Sequence, residues 1–148
     1  MQNNKAEGSG GVISATGGKV EINNSTITGN QATLGGAIYS SGGTTTINNS
    51  TISNNSATEG SAIYNAMGGS VILNDVKISN NTGSSSIYNE GENSTVSITN
   101  EKDNIINNGD NAVIKNTGTI NITANNDTLT TIQDAIQNLD ITDITTDT

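Results

Sequence analysis

Apolar residues recur along this chain in three columns with a period of about 25 residues. Successive members are separated by 25, 25, 24 and 27 residues in the first column and by 25, 26, 25 and 24 in the second. The separations in the third column are 25, 26 and 27 residues. The members are Ile13, Ile38, Ile63, Ile87 and Ile114, then Ile22, Ile47, Leu73, Ile98 and Ile122, then Ile27, Ile52, Ile78 and Ile105.

Around each column the residues alternate between apolar and polar. Stretches such as Val20-Glu21-Ile22 and Val96-Ser97-Ile98 place residues i and i+2 on one face, which is the period of a β-strand. A helical repeat needs apolar residues spaced by three and four over a longer stretch, and the columns lack that spacing. Three columns therefore predict three short strands in each repeat.

Three strands per turn, with each turn about 4.8 Å above the last, make a parallel β-helix. Isoleucines then stack inward on isoleucines along the axis. Such a core is thin, which suits a chain with 30% hydrophobic and 2% aromatic residues. We predict an all-β fold, a single-stranded parallel β-helix of about five turns over residues 10–126, after an N-terminal extension at residues 1–9.

Glycine pairs and a column of asparagines mark the predicted bends. Gly17-Gly18, Gly42-Gly43 and Gly68-Gly69 separate the first strand of a turn from the second, where a tight bend favours positive φ. Asparagine tolerates the left-handed conformation, and stacked amides can hydrogen-bond from turn to turn. The asparagine column, which we expect to form such a ladder, is Asn30, Asn55, Asn81 and Asn108.

The period changes after residue 126. Leu129, Ile132, Ile136 and Leu139 are spaced by three, four and three, which predicts a short amphipathic helix with Asp127 as its N-cap. Such a helix would cover the apolar core and the strand edges at one end of the solenoid. We therefore assign 127–148 to a C-terminal capping helix and tail.

The N-terminal extension has no comparable apolar pattern. Residues 1–9 contain Lys5 and Glu7 and no apolar residue after Met1 except Ala6. We therefore expect the first turn to lack a cap, and we predict possible self-association of the chain through it.

Charge and composition exclude several functions. Asp and Glu number 14 against 5 Lys and Arg, and the net charge of −9 repels phosphate backbones and anionic membranes. The absence of cysteine and histidine removes disulfides, thiolate metal sites and imidazole chemistry. No apolar run reaches transmembrane length, and the first ten residues lack a signal-peptide pattern. We expect no nucleic acid, no membrane insertion of this segment, and no cofactor or metal.

Three tyrosines and two asparagines form the candidate ligand-binding site. Tyr39, Tyr64 and Tyr88 directly follow inward isoleucines, so the strand alternation points their rings outward in one ladder. With Asn65 and Asn89 beside them, the rings would stack a sugar chain and bind its hydroxyls. The alternative is that the tyrosines stabilise the solenoid or lie under a loop. The sequence leaves both open.

One repeated motif resembles a known family. Gly35-Gly36-Ala37-Ile38, paired in each turn with a downstream Ile52-x-x-Asn55, is similar to the repeat of polymorphic outer-membrane and adhesin-like surface proteins. The resemblance covers about residues 10–108, and the family usually carries Phe in the third column. It implies a right-handed parallel β-helix and an extracellular or cell-surface location.

The expected function is therefore a non-enzymatic, adhesin-like module, a rigid stalk or surface for contacts with a glycan or a cell-surface protein. The alternative is a polysaccharide-active enzyme, a glycosidase, lyase or tailspike-like fragment. Glycoside cleavage usually needs two carboxyls about 5 to 9.5 Å apart, and Glu90 and Glu92 have no matched acids on the turns below. A minor alternative is an ice-binding protein, since Thr26, Thr28, Thr51 and Ser53 form outward hydroxyl rows.

Overall fold

A computed structural model describes residues 1–100, 106–107, 114–124, 136–138 and 144–147. These residues contain sixteen strands and no helix. The strands form three parallel sheets that wind around one core, because each sheet takes one strand from each successive turn. The prediction of a parallel β-solenoid is confirmed. Within this described part, no helix is long and apolar enough to cross a membrane.

Each sheet runs along the solenoid axis. The first sheet consists of β1 (Ile13–Thr16), β4 (Ile38–Ser41), β7 (Ile63–Ala66), β10 (Ile87–Asn89), β13 (Ile114–Asn116) and β15 (Ile136–Asn138). The second consists of β2 (Lys19–Asn23), β5 (Thr44–Asn48), β8 (Ser70–Asn74), β11 (Thr95–Asn100), β14 (Thr119–Ala124) and β16 (Ile144–Asp147). The third consists of β3 (Thr26–Thr28), β6 (Thr51–Ser53), β9 (Lys77–Ser79) and β12 (Ile106–Asn107).

The strand register stacks the apolar columns inside the solenoid. In the first sheet, Ile38 pairs with Ile13 on one side and with Ile63 on the other. Ile38, Ile52 and Ile63 have no exposed surface. Burial of one such side chain is worth about 1.5 to 3 kcal/mol, so the columns are the main stabilising feature of the fold.

The third column differs from the prediction at its fourth member. Ile106, not Ile105, is the Cα partner of Ile78. Two consecutive isoleucines leave the register uncertain by one residue, and only the pairing of neighbouring strands decides it. Ile105 and the predicted ladder residue Asn108 lie outside the described residues.

The prediction of a C-terminal helix is wrong for the residues that the structure describes. Ile136–Asn138 form strand β15, in which Ile136 pairs with Ile114 of β13. The helical spacing of the apolar residues did not decide the structure here. The edge of β13 offers unpaired backbone groups, and a further strand satisfies them. Residues 144–147 add β16 to β14 in the same way. The rest of the predicted helix, 127–135 and 139, lies outside the described residues.

Four turns have all three of their strands among the described residues, fewer than the five predicted. The first and second sheets each continue by two further strands.

The segment before the repeats covers part of the first turn. Isolated bridges join Gln2 to Thr28, Lys5 to Gln31 and Ser9 to Leu34. These pairs lie beside β3 and the loop that follows it, while β1 and β2 remain edge strands. As a result Ile13 and Val20, near that edge, are only partly buried.

Candidate functional site

The predicted asparagine column is buried and hydrogen-bonded. The Asn30 side-chain amide donates to Asn55 Oδ1 at 2.9 Å, and the Asn55 amide donates to Asn81 Oδ1 at 3.0 Å. Each accepting oxygen also takes the backbone N–H of the preceding asparagine, at 2.9 Å in both cases. Asn4 extends the ladder by donating to Asn30 Oδ1 at 3.0 Å. Because the side chains from Asn30 to Asn81 are buried, they are closed to a ligand.

The left-handed conformation lies one residue earlier than expected. Positive φ angles occur at Gly29 (70°), Asn54 (55°) and Asn80 (54°), each directly before a ladder asparagine. The first residue of each pair therefore turns the chain, and the second bonds to the next turn.

A second ladder corrects the prediction for Asn65 and Asn89. Both side chains are fully buried, so they do not lie beside the tyrosine rings. The Asn65 amide donates to Asn89 Oδ1 at 2.9 Å, and the Asn89 amide donates to Asn116 Oδ1 at 2.8 Å. The Asn65 amide also donates to the Gly69 carbonyl at 2.8 Å. The same alternation that points Tyr64 outward turns Asn65 inward, together with Ile63.

The tyrosines lie on the outer face of the first sheet in a row that we call the tyrosine strip, consisting of Tyr39, Tyr64, Tyr88 and Lys115. The Tyr39 and Tyr64 rings are stacked, with centroids 5.6 Å apart and 21° between their planes. Tyr88 meets Tyr64 edge to face at 5.1 Å. Lys115 Nζ lies 5.9 Å from the Tyr88 centroid, at the outer limit of a cation–π contact.

Two carboxylates bind the polar ends of the tyrosine strip. The Tyr64 hydroxyl donates to the Glu90 carboxylate. Lys115 Nζ lies 3.1 Å from Glu59 Oε1 and 3.3 Å from Oε2. Lys115 lies two turns further along the axis than Glu59, so this ion pair crosses the turn that carries Tyr88. Glu90 thus binds Tyr64 and Glu59 binds Lys115, so these polar groups of the tyrosine strip are already paired within the protein.

The electrostatics of the tyrosine strip follow from these contacts. Burial, followed by the hydrogen bond to Glu90 and its charge, raises the pKa of Tyr64. Burial and the nearby Glu90 and Glu59 charges raise the pKa of Tyr88. Burial acts to raise the pKa of Glu59, but hydrogen bonds from Ser84, Lys115 and Ser85 and the Lys115 charge outweigh it and lower the pKa. The Tyr64 and Tyr88 phenols therefore stay neutral and Glu59 stays ionised near neutral pH.

The tyrosine strip does not present a row of open rings. Tyr64 is only 7% exposed, and Tyr39 and Tyr88 are half-buried. A sugar that stacks on an aromatic ring needs a free face, and the central Tyr64 ring, stacked on Tyr39 and almost wholly buried, has too little exposed surface for one. The geometry favours the alternative in which the tyrosines stabilise the solenoid.

A groove that the sequence did not reveal runs along the axis beside the third sheet. This axial groove has a volume of about 530 Å³, within the size range of ligand sites. It is built from the loops that lead from the third strand of a turn to the first strand of the next. Its lining residues are Lys5, Ala6, Glu7, Gln31, Ala32, Thr33, Ser56, Ala57, Thr58, Thr82 and Gly83.

The loops of the axial groove are paired like strands. Parallel bridges join Lys5, Gln31, Ser56 and Thr82 in succession. The Ala32 N–H donates to the Ser56 carbonyl at 3.1 Å, and the Ala57 N–H donates to the Thr82 carbonyl at 3.1 Å. The backbone on this side is therefore fixed by hydrogen bonds, and most of the side chains that line the groove, apart from Lys5, Glu7 and Gln31, are short.

A recurring triplet is the sequence signal for the axial groove. Each ladder asparagine is followed two residues later by a small residue, giving Ala6, Ala32, Ala57 and Gly83. This Asn-x-small spacing marks where the loops pass close to one another. It does not show that a cavity forms, because that depends on the path of four separate loops.

No group of three or more carboxylates suited to a metal ion occurs in the part of the chain that the structure describes. Glu59 and Glu90, the acids nearest the tyrosines, are both engaged with residues of the tyrosine strip.

Comparison with known proteins identifies the type of repeat. Residues 24–41 and 49–66 match the Chlamydia polymorphic membrane protein (Chlamydia_PMP) repeat. Each match runs from the third strand of one turn to the first strand of the next, and includes one loop of the axial groove. Together they cover about a quarter of the chain. Searches of the curated proteins and of the solved structures gave no match.

Proposed function

We propose that this protein is a rigid, non-enzymatic module of adhesin type that acts on the outside of the cell. The observation that carries the proposal is the repeat match, which falls on two consecutive turns of a continuous solenoid. A β-solenoid suits such a role because the strands of each turn pair with those of the adjacent turns, so the same structure extends along one axis.

Rigidity follows from the side chains that connect the turns. The ladder from Asn30 to Asn81 and the ladder from Asn65 to Asn116 lie on two different corners. Each amide bonds to an adjacent turn, and the amides also donate to backbone carbonyls, for example Asn55 to Ile27 and Asn65 to Gly69. Sliding or bending one turn against another would break these buried bonds, each worth about 1 kcal/mol net and more if left unsatisfied.

Surface location is tested by labelling cells that produce the protein naturally. An antibody against the folded chain should bind intact cells as well as permeabilised ones, and added protease should remove the signal from intact cells. An antibody against a cytoplasmic protein is the control for leakage. Labelling only after permeabilisation would refute the proposed location.

The non-enzymatic part of the proposal has its own assay. Incubation with pectic, β-glucan and chitin polysaccharides should release no more reducing ends than a heat-denatured sample. Release that depends on Glu59 or Glu90, the two acids beside the tyrosines, would favour the polysaccharide-active alternative instead.

We also propose that the chain associates with itself through the edge strands β1 and β2. The apolar Val12, Ile13 and Val20 near this edge are only partly buried, and strand edges with unpaired backbone groups favour pairing with another chain. Light scattering over a range of concentrations should show a mass above that of one chain. A Val20→Lys variant should return the mass to that of a single chain, whereas a Thr46→Lys variant on the outer face of β5 should not.

A further inference from the structure

We propose that the axial groove binds a neutral oligosaccharide strand that lies along the solenoid axis. The inference rests on the proposed surface function for the source of the ligand, which would be a glycan met outside the cell. The test below measures binding by itself, so that the two proposals can fail separately.

The first argument is the chemistry of the groove. Among the described residues, the Ser56, Thr58 and Thr82 hydroxyls and the Gln31 amide have no hydrogen-bond partner. Hydroxyls both donate and accept, and an amide offers one acceptor and two donor hydrogens. Sugar hydroxyls need this mixture of donors and acceptors, since each also both donates and accepts.

The second argument is charge. The other three loops contribute no charged side chain to the groove, which has only Lys5 and Glu7, of opposite sign, in the loop at one end. A uronate or phosphate polymer would meet only one cation there, Lys5 at the end that also holds Glu7, and would be repelled by a protein of net charge −9. A ligand without charge meets neither cost.

The third argument excludes a peptide strand. β-augmentation needs unpaired backbone donors and acceptors at a sheet edge. The groove loops already bond to one another, for example Ser56 N–H to the Asn30 carbonyl and Thr82 N–H to the Asn55 carbonyl, both at 2.8 Å. A peptide would also need pockets for its side chains, whereas the residues at the base of this groove are uniformly small.

The residues at the base of the groove are small for a structural reason. The Ala32 side chain is buried between the exposed Gln31 and Thr33, and Ala57 is partly buried beside the exposed Thr58. At the next loop even a methyl group is excluded, because a Cβ at Gly83 would collide with the Ala57 carbonyl oxygen. The small base leaves room for a flat sugar ring above each loop.

The spacing of the loops sets the length of the ligand. Successive turns are about 4.8 Å apart, so the four loops span about 14 Å between the first and the last. One pyranose unit per loop gives a tetrasaccharide. Affinity should therefore rise with chain length up to a tetrasaccharide and change little beyond it.

The experiment is titration of the native protein by calorimetry or by ¹H–¹⁵N spectroscopy. The probes are cello-, malto-, laminari-, manno- and chito-oligosaccharides from disaccharide to hexasaccharide. At least one series should bind, with the length dependence given above, and shift the amide signals of Ala32 and Ala57. No binding of any series at millimolar concentration would overturn the proposal.

Two groove variants and two matched controls locate the site. Ala57→Leu fills the groove and should weaken binding about tenfold or more, while Ser56→Ala/Thr58→Ala removes two free hydroxyls and should weaken it about tenfold. Thr46→Leu and Thr51→Ala/Ser53→Ala make the same kinds of change on other faces, and should bind like the native protein. Thr46→Leu is a suitable apolar control because the partner of Thr46 in the next strand is Ile72, so a large apolar residue already occupies the matching position of the neighbouring turn.

The outcomes separate the two proposals. Native-like binding by both groove variants, with folding verified by circular dichroism, would overturn the groove as the site. A loss confined to Tyr39→Ala would place the ligand on the tyrosine strip instead and would also overturn it. Groove-dependent binding by a protein that labels only inside cells would support the groove and refute the surface function.

Discussion

Thr58 and Glu59 are neighbours in one loop, but their side chains belong to surfaces of opposite character. Thr58 lines the axial groove with a hydroxyl that has no partner among the described residues. Glu59 forms an ion pair with Lys115 of the tyrosine strip. Both surfaces run along the same turns, yet one is closed by its own side chains and the other is open.

The difference comes from the length of the side chains relative to the rise of the solenoid. Adjacent turns are about 4.8 Å apart. Tyrosine, lysine and glutamate reach the next turn and satisfy one another, as Tyr64 does with Glu90. In the axial groove the Thr33 hydroxyl does reach the neighbouring turn, where it donates to the Glu7 carbonyl at 3.0 Å. The Ser56, Thr58 and Thr82 hydroxyls have no such bond among the described residues, so they stay available to a ligand.

The largest expected effect is on the middle of the tyrosine strip. Tyr64→Ala should lower the free energy of unfolding by about 3 kcal/mol, because it removes a ring that is 7% exposed and contacts two others. Urea unfolding measures the loss. Tyr39→Ala, at the half-buried end of the strip, should cost about half as much. Equal costs would mean that the strip is not closed around its central ring.

The next effect concerns the ladder beneath the tyrosine strip. Asn65→Ala should cost about 2 kcal/mol, because the acceptors at Gly69, Asn89 and Thr95 lose a buried donor. Binding to any oligosaccharide should stay unchanged. Asn48→Ala removes an amide of the same type from the outer face of the second sheet and should cost only about 0.5 kcal/mol. A loss of ligand binding in Asn65→Ala with native stability would restore its predicted binding role.

The ion pair of the tyrosine strip should show a pH dependence. The folded-state pKa of Glu59 is lowered from 4.5, so its stabilising effect is present above that value and is lost as the pH falls through the lowered one. Glu59→Gln should cost at most about 1 kcal/mol at neutral pH, since the pair is partly exposed. Urea unfolding at several pH values should show the difference disappearing in acid. A difference that persists there would assign it to packing instead of charge.

The smallest effect on stability is expected in the groove. Ser56→Ala/Thr58→Ala should change the free energy of unfolding by no more than about 0.5 kcal/mol, because neither hydroxyl has a hydrogen-bond partner in the part of the chain that the structure describes. Thr51→Ala/Ser53→Ala in the same turn is the matched control and should behave alike. A cost above about 1 kcal/mol for the groove variant alone would show that these hydroxyls support the fold, and the two surfaces would then be alike.

Several features of the candidate site were within reach of the sequence. Strand alternation predicts that Tyr64 points outward, and the same rule places Asn65 inward beside Ile63, where the structure has it. The Asn-x-small triplet was also visible. What the sequence did not contain was the coverage of Tyr64, because its covering groups, Glu90 and the neighbouring rings, come from other turns.

The sequence by itself determined the solenoid, since the apolar columns state directly which residue of each turn must be buried. Burial is the largest stabilising term, and a period repeated over four turns leaves one consistent arrangement. Tertiary structure decided the rest. The choice of Ile106 over Ile105 and the strand at Ile136–Asn138 depend on backbone pairing with a neighbour already in place. The groove depends on loops that meet only after folding, because its lining residues lie about 25 positions apart.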